Sequence, residues 1–462
     1  MITDKELIQS IIALLDDLYI ENRGAQELVH VDPRDIEACL SLGTEEEELK
    51  STIRHLLNRE WTVNGYNTNE THWCMYALQV LSRLYLKKPL TKTVRIKGKY
   101  NSAVVFTTNI DTATKEQIET IVNLPAFEGS KIRIMPDCHA GKGYVIGTTM
   151  TITDKICPNL VGVDIGCGVL AIKLNESEID FKKLDTVIRE NVPYGFAIHK
   201  TPPCERYKDI VLETYEMPFC FENNADKERK ILSCTVGSLG GGNHFIEVDR
   251  DEYGYLWLLI HSGSRNPGLR VANFYQKLAQ EKDADAPKDL ACLSGKDAQC
   301  YLHDMRAMQT FARVNRQMIA IIITRNMGLS GTEVIDTAHN YIGHDNILRK
   351  GAVSSRYNEK FILPLNMRDG ARIFTGCGNP EWNYSAPHGA GRIISRAEAR
   401  KRLGLKEFRQ QMEGIYSTCI SNNTIDESPM AYKDSEEIIK NTSGTVMAFG
   451  IHLRPVYNFK AE

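Results

Sequence analysis

Hydrophobic residues recur at helical spacing through the first part of the chain. After a capping pattern at Thr3 and Glu6, one helical face carries Leu7, Ile11, Leu14, Leu15 and Leu18. Thr44 and Glu47 repeat the capping pattern, and a further helix is predicted over residues 71–86. The pattern ends at Lys87-Lys88-Pro89. We therefore predict a helical accessory module over residues 1–88, which serves recognition because it carries no cluster of catalytic residue types.

Beyond this boundary, short β-type runs alternate with glycine clusters. The runs are residues 102–107, 131–135, 144–152 and 255–260. Helices are predicted over residues 114–123, 301–325 and 395–412, and the polar stretch 266–300 is predicted to be an irregular surface excursion. This mixture predicts an α+β catalytic domain with a central sheet over residues 92–462.

Composition narrows the class of protein only modestly. Of the 462 residues, 42% are hydrophobic and 25% charged, as in ordinary globular proteins, and the net charge of −3 neither requires nor excludes a nucleic-acid partner. The twelve cysteines form no CxxC pair, which argues against a zinc ribbon and a disulfide scaffold and favours the reducing cytoplasm. We expect no signal peptide, and no uncharged run approaches the roughly 18 residues of a membrane span.

Four glycine-containing segments carry residues that could bind metal. The candidate ligands are Asp164, Cys167, His244, His261 and His339. Each one alone is more often a structural residue than a ligand. Together, sulfur, imidazole and carboxylate suit a first-row transition metal better than Mg²⁺ or Ca²⁺, and five such ligands could hold two ions. The sequence does not establish that the five converge.

A fifth segment places a histidine among small residues, at Ala386-Pro387-His388-Gly389-Ala390-Gly391-Arg392. Imidazole is a competent nucleophile toward phosphorus when a metal neutralises the charge on the phosphate oxygens. Arg392 could add a charge-assisted hydrogen bond. His388 is therefore a candidate nucleophile, and the alternative is a histidine in a surface loop.

These segments, taken in order, match the motifs of a known family. The matching motifs are residues 135–143 (MPDCHAGKG), 164–168, 242–247, 261–265, 339–340, 350–352, 388–392 and 429–434, and the C-terminal stretch from Leu453 to Lys460. Over roughly residues 95–462 the chain resembles the RtcB-type RNA ligases. Because many motifs occur in the right order, the resemblance is far more specific than any single glycine pattern.

The resemblance implies a GTP- and manganese-dependent RNA ligase. It would join RNA 3′-phosphate or 2′,3′-cyclic phosphate ends to 5′-hydroxyl ends, in RNA repair or splicing, through a guanylylated histidine. The implied roles are as follows: His388 and Asp137 catalytic; Asp164, Cys167, His244, His261 and His339 ligands of two Mn²⁺ ions; Asn243, Glu247, Asn340, Tyr432 and Lys460 nucleotide contacts; and Arg265 an RNA-phosphate contact. The expected partner is RNA with broken ends, and an activating or release-factor-like protein is left open.

Two departures from the family pattern mark the chain as a divergent member. Family members carry a longer, serine-rich stretch before the nucleophile, whereas here only residues 379–387 separate Gly376-Cys377-Gly378 from His388. The helical residues 1–88 are not part of the usual pattern either. Two alternatives stay open: a metal-dependent phosphohydrolase, which would need the ligands but not His388, and a non-catalytic RNA-binding protein derived from a ligase.

Overall fold

The computed structural model describes residues 92–207, 209–210, 212–447 and 450–461. They belong to a compact unit that extends from Leu90 to Glu462. The helices predicted within residues 1–88 lie outside the described residues, so the domain division and the role of that module stay predictions.

The described chain forms seventeen strands. In chain order, β1 to β17 are Val94–Lys97, Ser102–Val105, Ile132–His139, Ile146–Thr151, Lys155–Ile156, Gly168–Leu174, Phe245–Asp251, Leu256–Ser262, Leu293–Ser294, Gly331–Ala338, Asn340–Ile342, Ile347–Lys350, Ala352–Ser354, Lys360–Asn366, Gly370–Thr375, Ser385–Pro387 and Ile451–Lys460.

Eight α-helices accompany these strands within the described residues. In chain order, α1 to α8 are Thr112–Val122, Phe181–Asn191, Ala225–Thr235, Arg265–Lys282, Gly295–Met327, Arg396–Arg402, Leu405–Gln411 and Ser435–Thr442. Short 3₁₀ turns lie at Pro125–Phe127, Pro158–Leu160, Pro203–Glu205, Phe219–Asn224, Lys288–Leu290, Pro380–Trp382, Ile425–Glu427 and Pro429–Ala431.

Two large sheets organise the fold. The six-stranded sheet has the order β1-β2-β3-β4-β12-β11, and the seven-stranded sheet has the order β10-β6-β8-β7-β17-β15-β14. Their strand pairs are antiparallel except for β2 with β3. The α+β class is thus confirmed, with the central β-structure divided between two sheets. His339 is the single residue between β10 of one sheet and β11 of the other.

The prediction of an irregular excursion over residues 266–300 is wrong. Most of this stretch forms α4 and the start of α5. On α4 the buried residues Val271, Ala272, Tyr275 and Ala279 lie on one face, but polar residues separate them and hide the helical period. The helix predicted over residues 395–412 is also two helices, because Leu403 and Gly404 adopt extended backbone between α6 and α7.

The 33-residue helix α5 packs against β6 and β8 of the seven-stranded sheet. Among the described residues, no helix is both long and apolar enough to cross a membrane. Two consecutive polar residues of α5, Asn315 and Arg316, are almost completely buried, at 0% and 1% exposure. Both side chains form hydrogen bonds with the backbone of segments that lead to the candidate ligands. Helix α5 therefore fixes the position of these segments.

Each of these two side chains makes several hydrogen bonds. The Asn315 amide donates to the carbonyl oxygens of Ser238 (3.0 Å) and Gly263 (3.1 Å), and its oxygen accepts from the amide nitrogens of Gly237 and Ser238. The Arg316 guanidinium donates to the carbonyl oxygens of Gly166 (2.9 Å) and Ser262 (3.0 Å). Without Asn315 and Arg316 these buried carbonyls would each lose a hydrogen-bond partner, which is costly in a dry interior.

We predict that Arg316→Met lowers the free energy of unfolding by about 3–5 kcal/mol, because it leaves buried carbonyls and the Asp336 carboxylate without their partner. Arg313→Met, three residues earlier on α5, removes only a half-exposed ion pair with Glu213 and should cost about 0–1 kcal/mol. Denaturant unfolding of both variants makes the comparison. Equal losses would show that the buried guanidinium has no special role.

Candidate active site

Alternation along the strands divides the seven-stranded sheet into two faces. On β7 and β8, Ile246, Val248 and Ile260 belong to the main hydrophobic core. Residues one position away face the other side, where Glu247 and His261 line a cavity of about 300 Å³. Successive side chains of a strand point to opposite faces of the sheet, so Glu247 and His261 lie on the face opposite the hydrophobic core. The cavity is large enough for a small ligand.

Three of the five predicted ligands form a tight cluster. Within the described part of the chain, one ligand atom each of Cys167, His244 and His261 lies within 4.8 Å of the other two. The Cys167 sulfur is 3.4 Å from Nε2 of His244 and 3.3 Å from Nε2 of His261. All three residues are buried. The structure thus brings together residues that are 94 positions apart in the chain.

Both histidines of this cluster are held by their other ring nitrogen. Nδ1 of His244 lies 2.9 Å from the carbonyl oxygen of Leu239, and Nδ1 of His261 lies 3.1 Å from that of Asn243. A carbonyl oxygen can only accept, so Nδ1 of each ring carries a proton and Nε2 faces the cluster. This orientation by a backbone carbonyl is typical of metal-binding histidines.

The other two predicted ligands lie at the edge of this cluster. Oδ2 of Asp164 is 3.0 Å from Nε2 of His244. The His339 ring lies 5.3 Å from the His261 ring between centroids, and the His339 amide donates to the carbonyl oxygen of Cys167. All five predicted ligands are therefore neighbours, although their ligand roles stay predictions.

The charges at the cluster favour a bound cation. Burial raises the pKa of the Cys167 thiol well above its usual value, and the neighbouring Asp164 carboxylate adds to this effect. Burial lowers the pKa of His261 and of His339, so both rings are neutral. Burial opposes ionisation of Asp164, but the hydrogen bond with His244 lowers its pKa to about 2. A carboxylate, two neutral imidazoles and a thiol that a cation would deprotonate fit a transition metal.

His388 lies beside the cluster of Cys167, His244 and His261, which we call the metal-type cluster, and is held by a buried carboxylate. Its ring is 4.9 Å from the His339 ring between centroids. Nδ1 of His388 is 2.7 Å from Oδ2 of Asp137, which also accepts from the backbone amides of His388 and Gly389. Asp137 is fully buried on β3 of the six-stranded sheet. The pair presents Nε2 of His388 as the nitrogen that is available for reaction.

A buried carboxylate that the sequence did not reveal, Glu427, binds two of the predicted nucleotide contacts. Its Oε2 accepts from the Lys460 ammonium (2.8 Å) and the Tyr432 hydroxyl (2.7 Å). Arg392 and Arg396 also pair with it. Burial opposes ionisation of Glu427, but Lys460 and Arg396 lower its pKa to about 2. Glu427 thus fixes Lys460 and Tyr432 at the cavity wall, and no periodic pattern marks it in the sequence.

The remaining predicted nucleotide contacts line the same cavity. Asn243 is exposed, whereas Glu247 is buried and accepts from Asn458 (2.9 Å). Burial raises the pKa of Glu247 above that of an exposed glutamate. The Asn340 amide donates to the carbonyl oxygen of Asp164, and its oxygen accepts from the Gly351 amide. Asn340 therefore also positions the turn that carries a predicted ligand.

Arg265 lies against the glycine segment that precedes His244. Its guanidinium donates to the carbonyl oxygen of Gly195 (2.6 Å) and to the Ser238 hydroxyl (3.3 Å). Gly240 has a φ of +95°, and a side chain there would collide with the Arg265 guanidinium and the His244 ring. This glycine is therefore required for the close approach of the two residues.

The short segment before His388 is an ordered part of the fold. Trp382 stacks on Phe106 at 3.7 Å between ring centroids, and β16 pairs with β13 directly before His388. Through Asn383, which donates to the Lys131 carbonyl and to the Thr149 hydroxyl on β4, the segment is fastened to the six-stranded sheet. It also explains how this chain holds the histidine with few residues in this region.

The protein thus has an α+β fold. Its candidate site combines the metal-type cluster with a histidine, His388, that the Asp137 carboxylate holds in place. Comparison with known proteins gives the family. Residues 117–461 match the family model described as "tRNA-splicing ligase RtcB". The chain belongs to the RtcB family.

Curated relatives come from bacteria and archaea. The chain is 30% identical over 379 residues to the RNA-splicing ligase RtcB of Escherichia coli K12, which covers 73% of this chain and 91% of that protein. It is 30% identical over 400 residues to the tRNA-splicing ligase RtcB of Aeropyrum pernix, covering 66% and 82%. With that of Methanococcus maripaludis the identity is 28% over 435 residues, covering 75% and 90%.

We predict that Cys167→Ala loses at least one bound metal ion, because alanine has no atom that can replace the sulfur between His244 and His261. Cys234→Ala removes another buried thiol, which lies on α3 outside the cavity, and should leave the metal content unchanged. Elemental analysis of the purified proteins after loading with manganese measures both. Full occupancy in the Cys167 variant would contradict the assignment.

Proposed function

We propose that this chain is a GTP- and manganese-dependent RNA ligase that joins RNA 3′-phosphate or 2′,3′-cyclic phosphate ends to 5′-hydroxyl ends. The relatives' names support RNA ligation. The observation that carries the proposal is His388, held through Nδ1 by buried Asp137 and adjacent to the five candidate ligands. A phosphohydrolase that activates water would have no need for this histidine.

In the first step, Nε2 of His388 attacks the α-phosphorus of GTP. An N–P bond forms, and the P–O bond to pyrophosphate breaks. The imidazole becomes positively charged as the bond forms, and the Asp137 carboxylate on Nδ1 compensates this charge. Lys460 and Tyr432, fixed by Glu427, lie at the wall of the same cavity and are suited to contact the guanylate.

In the second step, an oxygen of the RNA 3′-phosphate attacks the phosphorus on His388. The N–P bond breaks, and guanylate is transferred to the RNA end. A 2′,3′-cyclic phosphate would first be opened by water. In the third step, the 5′-hydroxyl oxygen attacks the activated RNA phosphorus and its proton passes to water. The phosphodiester forms, and the P–O bond to the guanylate breaks, so that GMP leaves. Arg265, near His244, is suited to contact an RNA phosphate.

Two Mn²⁺ ions would be held by Asp164, Cys167, His244, His261 and His339. When bound, such ions neutralise charge on phosphate oxygens and on the leaving group. The protein's own contribution is to hold the ligands and His388 in fixed positions, so that little reorganisation is needed as charge moves. The RNA substrate proposed here is a strand with a break.

We predict that His388→Ala abolishes the covalent protein–guanylate adduct and leaves the metal content near normal, because His388 is separate from the tight ligand cluster. The measurement is incubation with α-labelled GTP and manganese, followed by denaturing electrophoresis. His452→Ala, at a histidine that does not line the main cavity, should label like the unaltered chain. Adduct in the His388 variant would assign the nucleophile to another residue.

We predict that Asp137→Asn slows adduct formation about 10³- to 10⁴-fold. Asparagine carries no negative charge, so it cannot compensate the positive charge that the His388 ring gains as the N–P bond forms. The variant keeps the shape of the side chain and can place its oxygen where Oδ2 of Asp137 accepts from Nδ1 and from the amides of His388 and Gly389. Single-turnover labelling with GTP measures the rate, and a change below tenfold would contradict the assigned role of Asp137.

A further inference from the structure

A solvent-exposed aromatic ring lies on a loop next to the candidate active site. Phe196 has a relative exposure of 107%, so its whole side chain is open to solvent. Ile198, two residues further on, is 44% exposed, and Lys200 is exposed as well. A phenylalanine is normally buried, and one that is fully exposed beside a functional site is suited to bind a ligand.

The loop that carries Phe196 is held firmly by its neighbours. The Gly195 amide donates to the carbonyl oxygen of Gly240 (3.0 Å), and the Gly195 carbonyl accepts from Arg265. The Ala197 amide donates to the Tyr194 carbonyl. The His199 amide donates to the Cys234 carbonyl, and Nε2 of His199 lies 3.1 Å from the Gly237 carbonyl. The backbone on both sides of Phe196 is thus fixed while its ring has no cover.

These contacts place the loop beside the candidate ligands. Gly240 contacts Gly195 and lies against the ring of His244. Arg265, which binds Gly195, follows Ser264, whose amide donates to Oδ1 of Asp164 (3.2 Å). Phe196 therefore follows Gly195, the residue that Arg265 and Gly240 hold beside the cluster, and lies four residues before exposed Lys200.

An exposed aromatic ring next to a basic side chain is the usual composition of a surface for single-stranded nucleic acid. The ring stacks on a base, and the cations contact the phosphates. Sequence-specific pairing is not required, because every base has a flat face for stacking. Broken RNA ends have unpaired bases, and the ends must enter this cavity if the proposed function is right.

We propose that Phe196 is a stacking platform for an unpaired base near the RNA end that enters the cavity, with Arg265, which binds the preceding Gly195, for the neighbouring phosphate. The inference rests on the proposed function. The proposed occupant of this surface is single-stranded RNA. Unchanged fluorescence quench and RNA affinity in the Phe196→Ala variant described below would indicate a protein partner instead.

The test compares Phe196→Ala with Phe196→Trp in otherwise full-length chains. The probe is a short single-stranded RNA that ends in a 3′-phosphate and carries 2-aminopurine at its last position, with manganese and without GTP. In the unaltered chain, stacking should quench the 2-aminopurine fluorescence. We expect Phe196→Ala to abolish the quench and to weaken RNA binding about tenfold, and Phe196→Trp to retain both.

A matched control is Phe274→Ala, which removes another exposed phenylalanine from α4, nine residues beyond Arg265. It should leave quench and affinity as in the unaltered chain. Thermal unfolding of each variant checks that the fold is intact. Unchanged quench and affinity in Phe196→Ala, or equal loss in the Phe274 variant, would overturn the proposal.

Failure of the proposed function would give a different result. If the unaltered chain forms no guanylate adduct with GTP and manganese, the ligase mechanism is wrong, but the quench and affinity still decide whether Phe196 stacks on RNA. If the adduct forms and the RNA joins normally in Phe196→Ala with unchanged KM for RNA, the ligase proposal stands and the stacking platform is rejected.

Discussion

The candidate site depends on the need of buried backbone groups for hydrogen-bond partners. Its candidate ligands come from turns and strand ends, where carbonyls and amides are not all paired in a sheet. Asn315 and Arg316 of α5 supply partners to Gly166, Ser262 and Gly263, which adjoin Cys167 and His261. A rigid helix thus fixes several turns at once, and the loss of either side chain would leave several polar groups unsatisfied in a dry interior.

A hydrogen bond at Nδ1 orients three histidines of the site, and its acceptor is of two kinds. Carbonyl oxygens hold Nδ1 of His244 and His261, which fixes the tautomer without adding a formal charge near the metal-type cluster. A carboxylate, Asp137, holds Nδ1 of His388. The difference suits the proposed chemistry, because a ligand histidine stays neutral whereas a nucleophilic histidine gains positive charge when it binds phosphorus. The kind of acceptor thus distinguishes the proposed ligand histidines from the proposed nucleophile, although all three residues are histidines.

The division into two sheets gives the site its two sides. The seven-stranded sheet carries His261, Glu247 and Lys460 on one face, and the six-stranded sheet carries Asp137. His339 lies where the chain passes from one sheet to the other. A change in the packing of either sheet would therefore alter the distance between His388 and the candidate ligands, which makes the site sensitive to substitutions far from the cavity.

The sequence by itself determined the α+β class, the family resemblance and the five candidate ligands with His388, because ligand types and their glycine neighbours are local features. It was wrong about residues 266–300, where polar residues hide the buried face of α4. Only the tertiary structure decided that Cys167 and His261, 94 positions apart, meet, that Glu427 holds Lys460 and Tyr432, and that Phe196 is left exposed. These facts depend on strand register and on long-range hydrogen bonds, which have no period along the chain.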